Sequence, residues 1–132
     1  MKIEIITFPE YGDDRGTLIV LEQNKKIPFD IKRIYYMFDT QEGIRRGFHA
    51  HKKTRQLAIP VKGQCKILLD DGFEKAEVCL KEPGRGVMIE PMIWHEMYDY
   101  SEDCVLLVLA DDFYDESDYI RDYNAFMTEI KK

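Results

Sequence analysis

Apolar and polar residues alternate along most of the chain, in short runs separated by turn-forming residues such as Asp71-Gly72 and Pro83-Gly84. Alternation with a period of two places successive side chains on opposite faces of a strand, so the pattern predicts β-structure. The predicted strands are Lys2–Thr7, Thr17–Glu22, Ile31–Phe38, Arg46–His51, Gln56–Val61, Gln64–Leu69, Lys75–Leu80, Gly86–Glu90, His95–Tyr98 and Asp103–Ala110. A turn is predicted at residues 11–14, and Pro60 predicts an edge, a bulge or an early strand end. Short strands at this spacing favour an all-β sandwich or barrel.

The period changes near the end of the chain. Apolar residues recur there at helical spacing, at Tyr119, Tyr123, Phe126, Met127 and Ile130. Ser117 or Asp118 is expected to cap the start of this helix. The prediction is therefore a single domain over residues 1–132, with one C-terminal α-helix packed on the strands.

Composition and charge argue against nucleic-acid-binding, membrane and secreted proteins. The formal net charge of −6 argues against general nucleic-acid binding. No apolar run reaches 18 residues, which predicts no membrane association, and the N-terminal apolar stretch is too short for a signal peptide. Cys65, Cys79 and Cys104 form no disulfide framework, so reduced thiols and a cytoplasmic protein are expected.

The charge is unevenly spread. Residues 32–66 contain nine Lys and Arg against two acids, a net of +7, while the rest of the chain carries −13. Such a basic middle is either a solvated face paired with the acidic remainder or a pocket for a small anion such as a nucleotide diphosphate.

His49 and His51 lie two apart in a predicted strand and therefore point to the same face. Two unpaired imidazoles aimed into a barrel would cost desolvation energy, which favours a functional role. Together with Gly43 and Gly63 they resemble the first sequence motif of the cupins. Residues 91–99 loosely resemble the second motif through Pro91 and His95, although Ile93 and Asp99 depart from it. The resemblance implies a cupin (jelly-roll) β-barrel or sandwich.

Gln56 stands where the first cupin motif carries its metal-binding carboxylate. His49, His51 and His95 retain the capacity to hold zinc as three imidazoles, but a neutral amide is a poorer ligand for a transition metal. We therefore expect a site without metal or other cofactor, in which the histidines serve as acids and bases.

Longer runs are similar to the dTDP-4-keto-6-deoxy-D-glucose 3,4-ketoisomerases, a metal-independent cupin branch. These are residues 27–36, 46–53, 94–97 and 114–121. The resemblance implies an isomerase that moves the keto group of a dTDP-linked 4-keto-6-deoxyhexose from C4 to C3 through an enediol. The pair Arg15 and His95 resembles the branch that makes the galacto-configured product for 3-amino-3,6-dideoxyhexose synthesis.

The resemblance also implies roles for individual residues. His49 is expected to be the base, His51 a second acid or base, and His95 a proton donor or a positioner of the sugar. Tyr35 is a candidate hydrogen-bond donor. The expected substrate-binding residues are Arg15, Arg33, Arg46, Lys52, Trp94 and Arg121, although Trp94 is equally expected in the core.

Three other functions remain open from the sequence. They are a 3,5-epimerase of the same substrate, a metal-dependent cupin dioxygenase, and a sugar-binding cupin without catalysis. Small cupins of this kind are commonly homodimers, so a homodimer is expected, with the N-terminal strand Lys2–Thr7 as a candidate for exchange between subunits.

Overall fold

The computed structural model describes residues 1–132. Twelve strands, a single-turn 3₁₀ helix at Glu116–Asp118 and one α-helix make up the fold. The strands are β1 (Ile5–Thr7), β2 (Tyr11–Asp13), β3 (Gly16–Leu18), β4 (Arg33–Met37), β5 (Arg46–His51), β6 (Gln56–Lys62), β7 (Cys65–Asp70), β8 (Lys75–Leu80), β9 (Arg85–Ile89), β10 (Trp94–Tyr98), β11 (Val105–Ala110) and β12 (Tyr119–Ile120), and the helix α1 is Tyr123–Ile130.

Two five-stranded antiparallel sheets face each other. One has the order β1-β9-β6-β11-β4 and the other β12-β5-β10-β7-β8, while β2 and β3 form a separate hairpin. The main core between the sheets includes Ile67, Leu69, Val87, Leu106 and Val108. This is the predicted all-β sandwich of the cupin type, with its single helix following the last strand.

The predicted strands are present, with three changes in the first twenty residues. Strand β1 begins at Ile5 rather than at Lys2. Residues 11–13 form a strand rather than a turn, and the predicted strand at 17–22 is shortened to Gly16–Leu18. The two pair with each other as β2 and β3, so the reversal lies at Asp14 and Arg15. Strand β6 pairs with β9 only as far as Ala58, and its register against β11 shifts next to Pro60. Proline has no N–H to donate to a neighbouring strand, which agrees with both changes.

The predicted start of the helix is wrong. Helix α1 begins at Tyr123, and its N-cap is Asp122 rather than Ser117 or Asp118. Residues 119 and 120 instead form β12, the outermost strand of the second sheet, because pairing with β5 satisfies main-chain groups that β5 would otherwise leave open. No helix of the protein is long and apolar enough to cross a membrane.

Helix α1 packs on the outer face of the second sheet. Phe126 is fully buried against Ala50, Trp94 and Ile120. The Tyr123 hydroxyl donates to Asp70, at 2.7 Å, at the end of β7. These contacts fix the segment 116–130, which lies beside the histidines.

A β-bulge in β5 aims the first histidine. Gly47 and Phe48 have φ angles of 96° and 57°, and the pairing of β5 with β10 shifts register between His95 and Glu96. A Cβ at Gly47 would lie 2.9 Å from the His95 carbonyl oxygen, so only glycine fits there. The bulge brings His49 directly opposite His95.

Candidate functional site

The three histidines of the chain form one cluster between the sheets. His49 and His51 come from β5 and His95 from β10, and the ring centroids of His49 lie 5.0 Å from His51 and 4.5 Å from His95. The Tyr119 ring closes the cluster, 4.9 Å from His49 and 4.4 Å from His51. The structure thus brings together the three imidazoles that the sequence motifs singled out.

Each imidazole is oriented by a hydrogen bond at Nδ1. The acceptors are the Gly47 carbonyl for His49 (3.0 Å), the Asp118 carboxylate for His51 (2.9 Å) and the Ile93 carbonyl for His95 (3.2 Å). Because these oxygens only accept, each neutral ring carries its proton on Nδ1 and presents the Nε2 lone pair to the cluster. The Nε2 atoms of His49 and His51 are buried without a partner, at a cost of about 1–3 kcal/mol each.

Burial keeps the cluster neutral. Desolvation lowers the pKa of His49 to about 4 and that of His95 to about 3. Desolvation also lowers the pKa of His51, although the hydrogen bond and the charge of Asp118 oppose this shift. The site therefore contains basic nitrogen atoms that are unprotonated at neutral pH, as general bases must be.

Tyr35 stands on β4 of the facing sheet, and its phenol is held by Gln56. The Gln56 side-chain amide donates to the Tyr35 hydroxyl at 3.0 Å. Burial raises the pKa of Tyr35 to about 12, so the phenol stays protonated. Since its oxygen already accepts from Gln56, the Tyr35 proton is free for another acceptor.

A cavity of about 300 Å³ opens onto His49. It is bordered by aromatic and basic side chains: Arg33, Tyr35, Met37, Arg46, Gly47, His49, Met97, Tyr114, Tyr119 and Arg121. A second cavity, of about 470 Å³, adjoins it through Met37 and Arg46 and continues along the loop that follows β4. Three of the predicted substrate-binding arginines thus surround the cavity.

The structure places the three other predicted substrate-binding residues elsewhere. Trp94 is buried under helix α1, because neighbouring residues of a strand face opposite sides and His95 takes the inner side. Lys52 is exposed beyond the end of β5 and does not border the cavity. Arg15 lies on the exposed hairpin, 2.6 Å from Asp13.

Sequence reasoning missed the cavity residues Met37, Met97 and Tyr114. It also missed Asp118 and Tyr119, which contact His51. Both were assigned to the start of the helix, whereas the pairing of β12 with β5 sets Tyr119 beside His51. The available signal was a short run of polar and aromatic residues after the last long strand. This run has neither the period of a strand nor that of a helix.

The cluster differs from the donor set of a metal-binding cupin. The ring nitrogens of the three histidines lie within 4.8 Å of one another, close enough to offer a metal ion three imidazole ligands. The position of the expected carboxylate is taken by Gln56, whose amide nitrogen donates to Tyr35 while its oxygen is buried without a hydrogen-bond partner. A neutral amide is a poorer ligand for a transition metal than a carboxylate, so the three imidazoles form a weaker metal site than the full cupin donor set would.

Comparison with known proteins agrees with this geometry. The family model FdtA, described as WxcM-like, C-terminal, matches residues 1–131. The chain is 49% identical over 132 residues to a TDP-4-oxo-6-deoxy-alpha-D-glucose-3,4-oxoisomerase of Aneurinibacillus thermoaerophilus, covering 100% of this chain and 95% of the relative.

Two solved structures are similar over nearly the whole fold. A 3,4-ketoisomerase from Helicobacter canadensis has a TM-score of 0.97 at 45% identity, covering 100% of this chain and 99% of the other. The 3,4-ketoisomerase QdtA from Thermoanaerobacterium thermosaccharolyticum, in complex with TDP, has a TM-score of 0.95 at 43% identity, covering 98% and 94%. These relatives favour the isomerase over the epimerase that the sequence left open. The chain belongs to the FdtA family of sugar-nucleotide 3,4-ketoisomerases.

Proposed function

We propose that this protein converts dTDP-4-keto-6-deoxy-D-glucose to the 3-keto sugar without a metal or other cofactor. The observation that carries the proposal is the convergence of unpartnered Nε2 lone pairs, from His49 and His51, beside a cavity that also presents a protonated phenol. An enediol isomerisation needs proton acceptors and a donor at the sugar oxygen, and nothing that transfers hydride.

In this mechanism His49 takes the proton from C3, which the neighbouring C4 ketone acidifies. Of the three histidines, His49 is the one that borders the cavity. Tyr35 donates a hydrogen bond to the C4 oxygen as negative charge develops there. His51 acts as a second acid or base, and His95 returns a proton to C4 or positions the sugar.

The arginines bind the anionic part of the substrate. Arg33, Arg46 and Arg121 border the cavity, and the Arg33 Nε is buried without a hydrogen-bond acceptor. A guanidinium suits phosphate oxygens because it donates two parallel hydrogen bonds. The hexose would then occupy the inner cavity and the nucleotide the adjoining one, with Arg46 between them.

Proton NMR in D₂O tests the reaction. EDTA-treated protein incubated with dTDP-4-keto-6-deoxyglucose should give a 3-keto sugar with deuterium at C4. Deuterium at C3 or C5 with the ketone still at C4 would identify an epimerase instead, and saturable binding without exchange would leave a binding protein. His49→Asn should abolish turnover while nucleotide binding stays near normal.

We infer that the product has the galacto configuration at C4. The resemblance of Arg15 and His95 to the branch that forms the galacto product supports this choice. Coupling constants of the C4 proton in protonated solvent give the configuration, and a gluco product would overturn the assignment.

We propose that two copies of the chain associate. Hairpin β2–β3 pairs with neither main sheet and exposes Tyr11 and Leu18, which are 57% and 60% accessible. Strand β4 is a sheet edge that exposes Ile34 and Tyr36 on its outer side. A second copy would cover this apolar surface and bring Arg15 toward a neighbouring cavity.

If the N-terminal strands are exchanged, β1 of one copy pairs with β9 of the other, and the pairing itself is kept. Light scattering of the purified protein should report a dimer, and Leu18→Asp should shift it toward monomer. A monomeric wild-type protein would overturn the proposal.

We also propose that the protein works in the cytoplasm. Cys65, Cys79 and Cys104 are free thiols, and a reducing compartment keeps them so. Fractionation of the native cells would test this, and recovery outside the cytoplasm would contradict it.

A further inference from the structure

Gln56 is a polar side chain in the space between the two sheets. It is fully buried and begins strand β6, two residues before the core residue Ala58, so both side chains face inward. Its pairing partners, Ala110 on β11 and Ile89 on β9, are buried apolar residues. A buried amide costs desolvation energy unless its groups are hydrogen-bonded, so the bonds that Gln56 makes indicate its role.

Gln56 makes one side-chain hydrogen bond, and it is the donor. Its Nε2 donates to the Tyr35 hydroxyl at 3.0 Å, whereas its Oε1 is buried without a partner. The two residues reach each other diagonally across β11, because Tyr35 lies opposite Val108 and Val108 lies opposite Ala58. The amide oxygen therefore adds nothing to the hydrogen bonding of the fold, and the contribution of Gln56 is the N–H that it offers to Tyr35.

The direction of this bond decides where the Tyr35 proton goes. A phenol has one proton to donate, and its oxygen can accept as well. Because Gln56 donates to the oxygen, the phenol proton is left for a group other than Gln56. Tyr35 borders the cavity and Gln56 does not, so the proton remains available on the side from which a substrate approaches.

We infer that Gln56 is a positioning residue that, by donating to Tyr35, keeps the phenol proton available for the C4 oxygen of the substrate. This inference rests on the proposed isomerisation, in which that oxygen gains negative charge as the enediol forms. A carboxylate at position 56, as in the first cupin motif, would have the opposite effect. It only accepts, so it would draw the Tyr35 proton to itself through a charge-assisted hydrogen bond, which is stronger than a neutral one. The amide nitrogen is thus the feature of Gln56 on which the reaction depends.

Two substitutions separate this role from simple support of the Tyr35 ring. Gln56→Glu keeps the length of the side chain and its hydrogen bond to Tyr35 but reverses the direction of that bond. Gln56→Met keeps a similar size and makes no such bond. If Gln56 only supports the ring, Gln56→Glu should be the more active variant. If the direction of the bond matters, Gln56→Glu should be the less active one, because the carboxylate holds the proton that the substrate needs.

Gln64→Glu is the matched control for the added charge. Gln64 is exposed between β6 and β7, beyond the opposite end of β6 from Gln56. The assays use EDTA-treated protein, so that no metal ion occupies the new carboxylate. They are run at about pH 9, the upper limit of the pKa values known for buried glutamates, so that the carboxyl is ionised. Gln64→Glu should keep the kcat of the wild type.

The kcat of Gln56→Glu should fall by about 10²–10³-fold, as for the loss of an oxyanion donor, and that of Gln56→Met by about tenfold. KM and TDP binding should change little in either variant, because Gln56 does not border the cavity. In the Tyr35→Phe background, Gln56→Glu should lower kcat no further, since its effect passes through the phenol.

A Gln56→Glu variant at least as active as Gln56→Met would overturn the inference, and so would a further loss of kcat in the double variant. If Gln56→Glu does not fold, a wild-type kcat in Gln56→Met would overturn it alone. The proposed function fails in a different way. A wild-type protein that does not isomerise dTDP-4-keto-6-deoxyglucose would refute the function and the inference together, whereas an active wild type with an active Gln56→Glu would overturn the inference alone.

Discussion

Lowering the pH from 7 to about 5 should destabilise the folded protein through His95. Burial, and to a smaller extent the neighbouring His49, lowers the pKa of His95 in the folded chain to about 3, from an ordinary value of 6.5. Between these values the unfolded chain binds the proton and the folded chain does not, so stability falls as the pH falls. Above about pH 6.5 His95 is neutral in both states and lowers the stability of the fold little. At about pH 5 the free energy of unfolding is lower by about 2 kcal/mol because of this residue.

Urea unfolding at the two pH values measures this loss, with His95→Asn as the comparison. Groups that do not touch His95 titrate alike in both proteins and cancel in the difference, whereas the neighbouring His49 is coupled to His95 and belongs to the measured effect. The wild type should lose about 2 kcal/mol more than His95→Asn on acidification. Equal losses in the two proteins would refute the reasoning, because His95 would then titrate alike in the folded and unfolded states.

Three further predictions concern single substitutions. Tyr35→Phe should lower kcat by about 10²–10³-fold with little change in KM, because the phenol is assigned to the developing oxyanion; steady-state kinetics would contradict the role if kcat were retained. Gly47→Ala should destabilise the protein to urea by more than Gly43→Ala, since both have positive φ but only at Gly47 would the new Cβ approach the His95 carbonyl; equal effects would argue against the close approach. Phe126→Ala should cost about 3–5 kcal/mol in the same assay, because the side chain is fully buried under helix α1; a cost below about 1 kcal/mol would mean that the helix contributes little to folding.

Long strands were predictable because burial on one face imposes alternation. Arg46–His51 and Lys75–Leu80 were predicted with the observed bounds. Strands β2 and β12 are two or three residues long and exist because of their pairing partners, so no pattern within them predicts them. The helix was placed too early for the same reason, since Tyr119 fits the helical spacing yet pairs with His51.

For the site, the motif spacing identified the three histidines, and the structure joins them. Trp94 was expected in the core as much as in the pocket because a lone tryptophan is as often part of a core, and the structure places it there, opposite His95 on β10. Asp118 was not predictable, because its partner His51 is 67 residues away along the chain and only the fold brings them together. Gln56 was identified as a departure from the motif, and its contact with Tyr35 emerged from the structure.

The position of segment 116–130 along the chain has a consequence for biosynthesis. The strands that carry the histidines and Tyr35 are all made before this segment, which supplies the partner of His51 and two borders of the cavity. A chain that stops short of Asp118 lacks β12 and helix α1, so it leaves His51 without its acceptor and the outer side of Trp94 uncovered. The segment that completes the surroundings of the histidines is therefore among the last parts of the chain to be synthesised.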